Sequence, residues 1–138
     1  MADDLGKLLQ EAAESWQAQL RRALAEQVPP AAIGAGAAVL SRLDPAAGTS
    51  QTTLTAQMGL SKQAVQQLLD QLEAQGLVRR EPDPADKRAK RVILTAAGAE
   101  AAARRAGASA SLDDRLRETL GRKRFKALRK ALRELAAG

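Results

Sequence analysis

Apolar residues between Leu54 and Leu77 recur at helical spacing on either side of a glycine. Leu54 and Met58 lie four residues apart, and Gly59 follows at once, where a left-handed residue ends a helix and turns the chain. Leu60 is expected to tuck under that turn. Ser61 is placed to cap the next helix, because its hydroxyl can accept from the free amides of a first turn. Val65, Leu68, Leu69 and Leu72 then form one stripe at helical period. Gly76, with Leu77 just beyond it, reads as a Schellman-type end. With that stripe inward, Lys62, Gln63, Gln66, Gln67 and Gln71 point away from the core. The spacing is that of a helix-turn-helix, and equally that of an ordinary helical hairpin with a polar outer face.

The period then changes from helical to alternating. Val92 and Leu94 alternate with Arg91 and Ile93, the pattern of a half-buried strand, and Leu77 and Val78 begin its partner. Pro82 and Pro84 are expected to stop the segment between from continuing as a strand. That leaves a loop holding Asp83, Asp86, Lys87, Arg88, Lys90 and Arg91. Asp86 precedes Arg88 by two residues and could hold it by a charge-assisted hydrogen bond. An exposed arm of this kind can place a guanidinium in a DNA minor groove, where width and negative potential are read. The plain alternative is a solvated turn with scattered charges.

The flanks are helical in pattern. Leu5, Leu8, Leu9, Ala12, Trp16, Leu20 and Leu24 form a stripe from about residue 4 to 27. Pro29 and Pro30 end it and can open a second helix running to about Leu43. That helix has a small face of Ala31, Gly34, Ala35 and Ala38, suited to close backbone approach. Asp44-Pro45 and Gly48 mark a loop, and Ser50 and Gln51 could supply a short third strand beside the hairpin. Thr95 is placed as the cap of a long helix to about Leu120, which Gly121 breaks. A last helix carries Phe125, Leu128, Leu132 and Leu135. The terminal stripes hold more apolar surface than a small three-helix unit needs to cover, and a two-fold partner is the commonest way to bury it.

Composition narrows the classes. The 138 residues contain 22 Lys plus Arg against 16 Asp plus Glu, a net charge of +6. Residues 1–48 are net −2, residues 49–98 net +2 and residues 99–138 net +6. A basic excess fits a nucleic-acid partner, although most of it lies outside the helix-turn-helix. The segment RKRFKALRKALR (122–133) interleaves cations with Phe125, Leu128 and Leu132; it reads as a dimer helix with a solvated cationic face, or as a membrane-surface or nucleic-acid helix. There is no Cys and no His, which removes disulfides, thiolate sites, the commonest metal ligand and the usual general base. No phosphate-binding glycine loop or inward carboxylate cluster is present, so an enzyme is the least favoured class and no cofactor or metal is called for. The longest apolar run, Ala31 to Leu40, has ten residues and two glycines, too short to span a membrane. MADDLGK is acidic and lacks a signal-peptide core, so a cytoplasmic protein is expected. The length fits one domain, with N-terminal helices over 1–48, a DNA-binding unit over 49–98 and C-terminal helices over 99–138.

The stretches LTAQMGLSKQAVQQLLDQLEAQGLV (54–78) and DPADKRAKRVILTAAG (83–98) resemble the MarR family of winged helix-turn-helix transcriptional regulators. The second is the more specific: Asp-Pro-x-Asp-x-Arg followed by Val-x-Leu-Thr-x-x-Gly is close to that family's wing signature. The resemblance implies a mainly α fold, a winged helix-turn-helix with a small β-hairpin wing flanked by N- and C-terminal dimerisation helices. It implies that Arg88 is the wing-tip arginine, Asp86 its positioning carboxylate, and the helix from Lys62 the recognition helix. The family often has small Ser or Thr where this chain has Gln63 and Gln66, Arg where it has Gln67, and Ala where it has Thr55.

The resulting expectation is a homodimer that sets two recognition helices into major grooves about one turn, ~34 Å, apart on a palindromic promoter site. Lys62, Gln63 and Gln66 would reach base edges, Gln being suited to adenine and Lys to guanine acceptors or phosphate. Ser61 and Gln67 belong to the same exposed face. Thr52 and Thr53 would meet phosphate at the start of the preceding helix. Arg88, held by Asp86, would enter the minor groove, with Lys87, Lys90 and Arg91 on the backbone. Repression is the default outcome of promoter occupancy. The resemblance adds a small-molecule effector that releases the DNA, although few aromatics and the alanines of 101–110 argue against a large aromatic-lined cavity. The alternatives are a winged-helix protein-interaction module and a nonspecific DNA-coating protein.

Overall fold

A computed structural model describes residues 4–138; Met1–Asp3, the start of the acidic N-terminus, lie outside the described residues. The chain forms six α-helices and a three-stranded antiparallel sheet over those residues. The elements are α1 (Leu5–Leu24), a 3-10 turn (Pro30–Ala32), α2 (Ala35–Arg42), β1 (Thr49–Ser50), α3 (Gln51–Met58), α4 (Lys62–Ala74), β2 (Val78–Asp83), β3 (Asp86–Leu94), α5 (Ala96–Leu120) and α6 (Arg122–Ala137). Contacts divide the chain into two compact units, one ending at Arg105 and the other covering Ala106–Gly138, with the division falling inside α5.

In the first unit the core gathers where α2, α3 and α4 meet the sheet. Val39, Leu54, Val65, Leu69, Leu72, Leu77 and Val92 are all but inaccessible to solvent. Each such side chain contributes roughly 1.5–3 kcal/mol by leaving water. The helix-turn-helix forms as the spacing predicts. Gly59 takes φ +63°, a left-handed conformation that costs a glycine little, and Ser61 Oγ accepts from the Ala64 amide at 3.0 Å. At the far end of α4 the Gly76 amide donates to the Glu73 carbonyl and the Leu77 amide to the Leu72 carbonyl, the paired bonds of a Schellman end. Thr95 caps α5 by accepting from the Gly98 amide and also donates to the Gly76 carbonyl, tying the two helix ends together.

Several expectations are corrected. Leu60 does not tuck under the turn but is 43% exposed; the left-handed Gly59 directs it outward, and Leu54 and Val65 close the space instead. The segment after Pro29 is not one helix to Leu43. The 3-10 turn ends at Ile33, which is extended, and Gly34 at φ +71° restarts the chain as α2. Close approach comes from Gly36, on the opposite face from the small stripe, where an added Cβ would lie 1.6 Å from the Ala31 carbonyl oxygen. The third strand is Thr49–Ser50, because Gln51 already belongs to α3 and Ser50 caps it. The α1 stripe is buried at Leu20 and Leu24, while Leu5, Leu8 and Leu9 are exposed.

The largest correction concerns the hairpin. Pro82 does not end β2: the strand continues to Asp83, with Pro82 opposite Lys90. The sheet order β1-β3-β2 makes β2 an edge strand, where a missing amide removes no bond from an interior ladder. The register shifts between Pro82 and Asp83, and only Pro84 and Ala85 form the turn. The charged residues 86–91 therefore ride on a strand rather than hanging in a loop.

In the second unit Gly121, at φ +82°, breaks the chain between α5 and α6. Phe125 is buried, with the Arg117 guanidinium 4.5 Å and that of Arg129 5.9 Å from its ring centre. Leu128, Leu132 and Leu135 of α6 remain exposed. Among the described residues no helix is long and apolar enough to cross a membrane.

Candidate nucleic-acid interface

An open groove of about 880 Å³ lies between α3, the start of α4 and the hairpin. Gln51, Thr52 and Thr55 form its α3 wall, Lys62 and Gln66 its α4 wall, and Asp86, Arg88 and Lys90 its hairpin wall. Capping and sheet pairing bring them together. Ser50 Oγ, at the end of β1, accepts from the Thr53 amide at 3.1 Å, which starts α3 beside the sheet. Ser61 starts α4 two residues after the left-handed turn.

The candidate residues divide by what already holds them. Lys62, Gln63, Gln66 and Gln67 are exposed along one face of α4, with Lys62 and Gln66 lining the groove and Gln63 and Gln67 outside it. Thr52 is exposed on the groove wall, whereas the Thr53 amide is taken by Ser50 and its hydroxyl accepts from the Ser50 hydroxyl at 2.7 Å. The Ser61 oxygen is engaged as the α4 cap. Lys87, Arg88 and Lys90 are exposed on β3, and among the described residues no hydrogen bond or ion pair engages their side chains.

Asp86 and Arg91 do something other than expected. Asp86 Oδ1 accepts from the Arg88 backbone amide at 3.0 Å. It therefore shapes the chain at the hairpin tip and leaves the Arg88 guanidinium free, where an ion pair was expected. Arg91 is half-buried. Its Nη1 donates to the carbonyls of Ala47 and Gly48, each at 3.1 Å, and its Nη2 lies 3.8 Å from buried Asp83. These contacts brace the base of the hairpin against the loop before β1. The alternation of Arg91 with Val92 gave the strand but not the direction of its side chain, which depends on where that loop passes.

Two further groups were not singled out by sequence reasoning. Arg80 on β2 donates from its guanidinium to Glu73 at 2.9 Å and also to Asp70, while the Arg80 amide donates to Glu73 Oε2 at 3.0 Å. The Arg80 guanidinium, followed by its backbone amide, holds the Glu73 carboxyl below the usual glutamate range. Glu73 in turn raises the already high pKa of Arg80. The pair clamps α4 to the hairpin and neutralises carboxylates beside a groove that Lys62, Arg88 and Lys90 also line. Gln51 is the second: its Nε2 donates to Gln66 Oε1 at 3.0 Å, from α3 to α4. No spacing rule reveals it, because the partners lie on different helices.

Known proteins share this fold. The MarR family profile matches residues 36–89, from α2 into the hairpin. The chain is 32% identical to the transcriptional repressor CouR bound to a 23-mer DNA duplex, covering 96% of this chain and 92% of that one, with a TM-score of 0.82. A second structure of CouR, bound to p-coumaroyl-CoA, is 30% identical over 96% and 91%, with a TM-score of 0.78. The reduced form of MarR from E. coli is 26% identical over 98% of both chains, with a TM-score of 0.80. No curated protein sequence matches the chain. Because the likeness runs through the helix-turn-helix, the hairpin and both flanks at once, the chain belongs to the MarR family of winged helix-turn-helix transcriptional regulators.

Proposed function

We propose that this regulator acts in the cytoplasm as a homodimeric repressor on a palindromic duplex site and is released by a small-molecule effector. Residues 49–98 are the DNA-binding part of a single domain, and the helices of 1–48 and 99–138 pair the two copies. Lys62, Gln63, Gln66 and Gln67 face base edges, with Ser61 at the mouth of the same helix. Thr52 and Thr53 meet phosphate at the start of α3. Arg88 enters the minor groove from a tip shaped by Asp86, and Lys87 and Lys90 hold the backbone. Arg91 supports the wing from its base.

The observation that carries this reading is the groove itself. It joins the exposed Lys62 and Gln66 of α4 to Arg88 and Lys90 of the hairpin, whose side chains make no hydrogen bond or ion pair among the described residues. A duplex supplies both base edges and phosphates at that spacing. The solved complex of CouR with a duplex, at 32% identity, supports the same use here. The CouR complex with p-coumaroyl-CoA supports an effector of similar chemistry, an anionic thioester. Exposed Leu5, Leu8 and Leu9 on α1, and Leu128, Leu132 and Leu135 on α6, support pairing of the flanks.

Selection from a random duplex library, followed by salt titration of the best site, tests the proposal. A two-fold symmetric site and a log-affinity that falls steeply with log salt are expected. Tight binding without any preferred site would make the protein a DNA-coating one. Failure to bind any duplex would make the groove a protein-docking surface.

A further inference from the structure

We propose that Gln51 is a positioning residue that makes Gln66 read adenine in preference to guanine. The inference rests on Gln66 facing base edges, as proposed above. Gln51 stands in the first turn of α3 and Gln66 one turn into α4, both on the wall of the same groove. Gln51 Nε2 donates to Gln66 Oε1 at 3.0 Å, and no other side-chain bond engages Gln66 among the described residues.

A glutamine amide has one oxygen with two lone pairs and one nitrogen with two hydrogens. Left free, it can turn over and offer either end to a base. Donation from Gln51 restrains that freedom, since turning the Gln66 amide alone would set two N–H groups against each other, and turning both amides together would still leave Gln66 its oxygen and one N–H to offer a base. The Gln66 oxygen is held on the side of α3, its second lone pair remains open, and both Nε2 hydrogens remain available. In the major groove adenine presents an acceptor at N7 and a donor at N6, whereas guanine presents acceptors at both N7 and O6. An amide in fixed order satisfies both adenine groups. Against guanine, its held oxygen would face O6 and repel it. An amide free to turn would meet guanine with its N–H groups and lose that discrimination. Gln51 thus acts on sequence choice without needing to touch a base.

Duplex selection with the wild-type protein, Gln66→Ala, Gln51→Met and the double variant tests this. Gln66→Ala identifies the base pair that Gln66 reads. Methionine at 51 keeps length and helix propensity but has no donor, and Gln51→Ala serves as a second donor-free variant. The expected result is that both Gln51 variants lower the adenine-over-guanine ratio at that base pair by about fivefold or more. Preferences at other positions and the thermal unfolding of the protein should stay unchanged. In the Gln66→Ala background, Gln51→Met should add nothing at that position. The inference is overturned if the Gln51 variants keep the wild-type ratio, or if they weaken all sequences equally, as loss of a phosphate contact or a loosened α3 would. A wild-type protein that selects no site overturns the DNA-reading function itself, a result distinct from either of these.

Discussion

Arg88 and Arg91 sit three residues apart on β3 and carry the same cation, yet they face different fates. The Arg88 guanidinium is exposed and without a partner among the described residues, while that of Arg91 is spent on two carbonyls and a buried carboxylate. Arg88→Ala is therefore expected to weaken duplex binding about tenfold and to lower the salt slope by about one, with thermal unfolding unchanged. Arg91→Ala should do the reverse in part, costing ~1–3 kcal/mol of stability in denaturant titration because Asp83 and two carbonyls lose their donor. Gly98 makes a related point. An alanine Cβ there would lie 2.0 Å from the Leu77 carbonyl oxygen, where the first turn of α5 meets the residue that leads into β2. Gly98→Ala should cost ~1–3 kcal/mol by the same measurement, since backbone must shift to admit it. The wing signature contains this glycine, but the carbonyl that requires it lies 21 residues earlier in the chain.

Among the elements, the contact that decides geometry is the clamp from α4 to β2. Glu73 takes both the Arg80 amide and its guanidinium, and a depressed carboxyl pKa is the signature of that embrace. A carboxylate with a lowered native value stabilises the fold fully above its unfolded range, here near 4.5, and the contribution fades as pH falls through the lower native value. Hydrogen exchange of the β2 amides should accordingly rise as pH drops below about that range, after correction for intrinsic rates, and Glu73→Gln should remove most of that dependence. Because the pair is partly exposed, high salt should reduce the effect. Here the pattern of apolar residues was a good guide to the helices and to the presence of the hairpin, and a poor one to how far its strands extend. Caps, the Schellman end and the α4 stripe are local, with partners within five residues, so composition and spacing reveal them. Pro82 misleads because its effect depends on whether the strand lies at an edge, and edge position is a property of the sheet.

Taken whole, the chain leaves apolar side chains in water at both ends: Leu5, Leu8 and Leu9 on α1, and Leu128, Leu132 and Leu135 on α6. A second copy is the proposed cover. Leu8→Asp with Leu132→Asp should shift the protein from dimer to monomer in sedimentation at micromolar concentration. Binding to a palindromic duplex should fall far more than binding to a half-site, because the second half-site no longer gains from tethering. A dimer that survives both changes would place the pairing surface elsewhere. The charge distribution belongs to this scale too. Residues 99–138 carry net +6, and the DNA-binding span only +2. Affinity in the groove therefore has to come from the placement of a few free cations rather than from bulk charge.

The sequence by itself determined the helix-turn-helix, its caps, the existence of a cationic hairpin and the exposed face of α4, since all of these follow from spacing over one or two turns of chain. Tertiary structure alone decided that the α2 helix starts late, that Leu60 faces water, that Arg91 turns inward, and that Gln51 reaches Gln66. Each of those depends on two segments meeting that are distant in the chain or separated by a turn of special backbone geometry. The physical reason is one of range: capping bonds and amphipathic stripes are satisfied within a helix, whereas the direction of a long polar side chain is set by whichever carbonyl, carboxylate or amide the fold brings beside it.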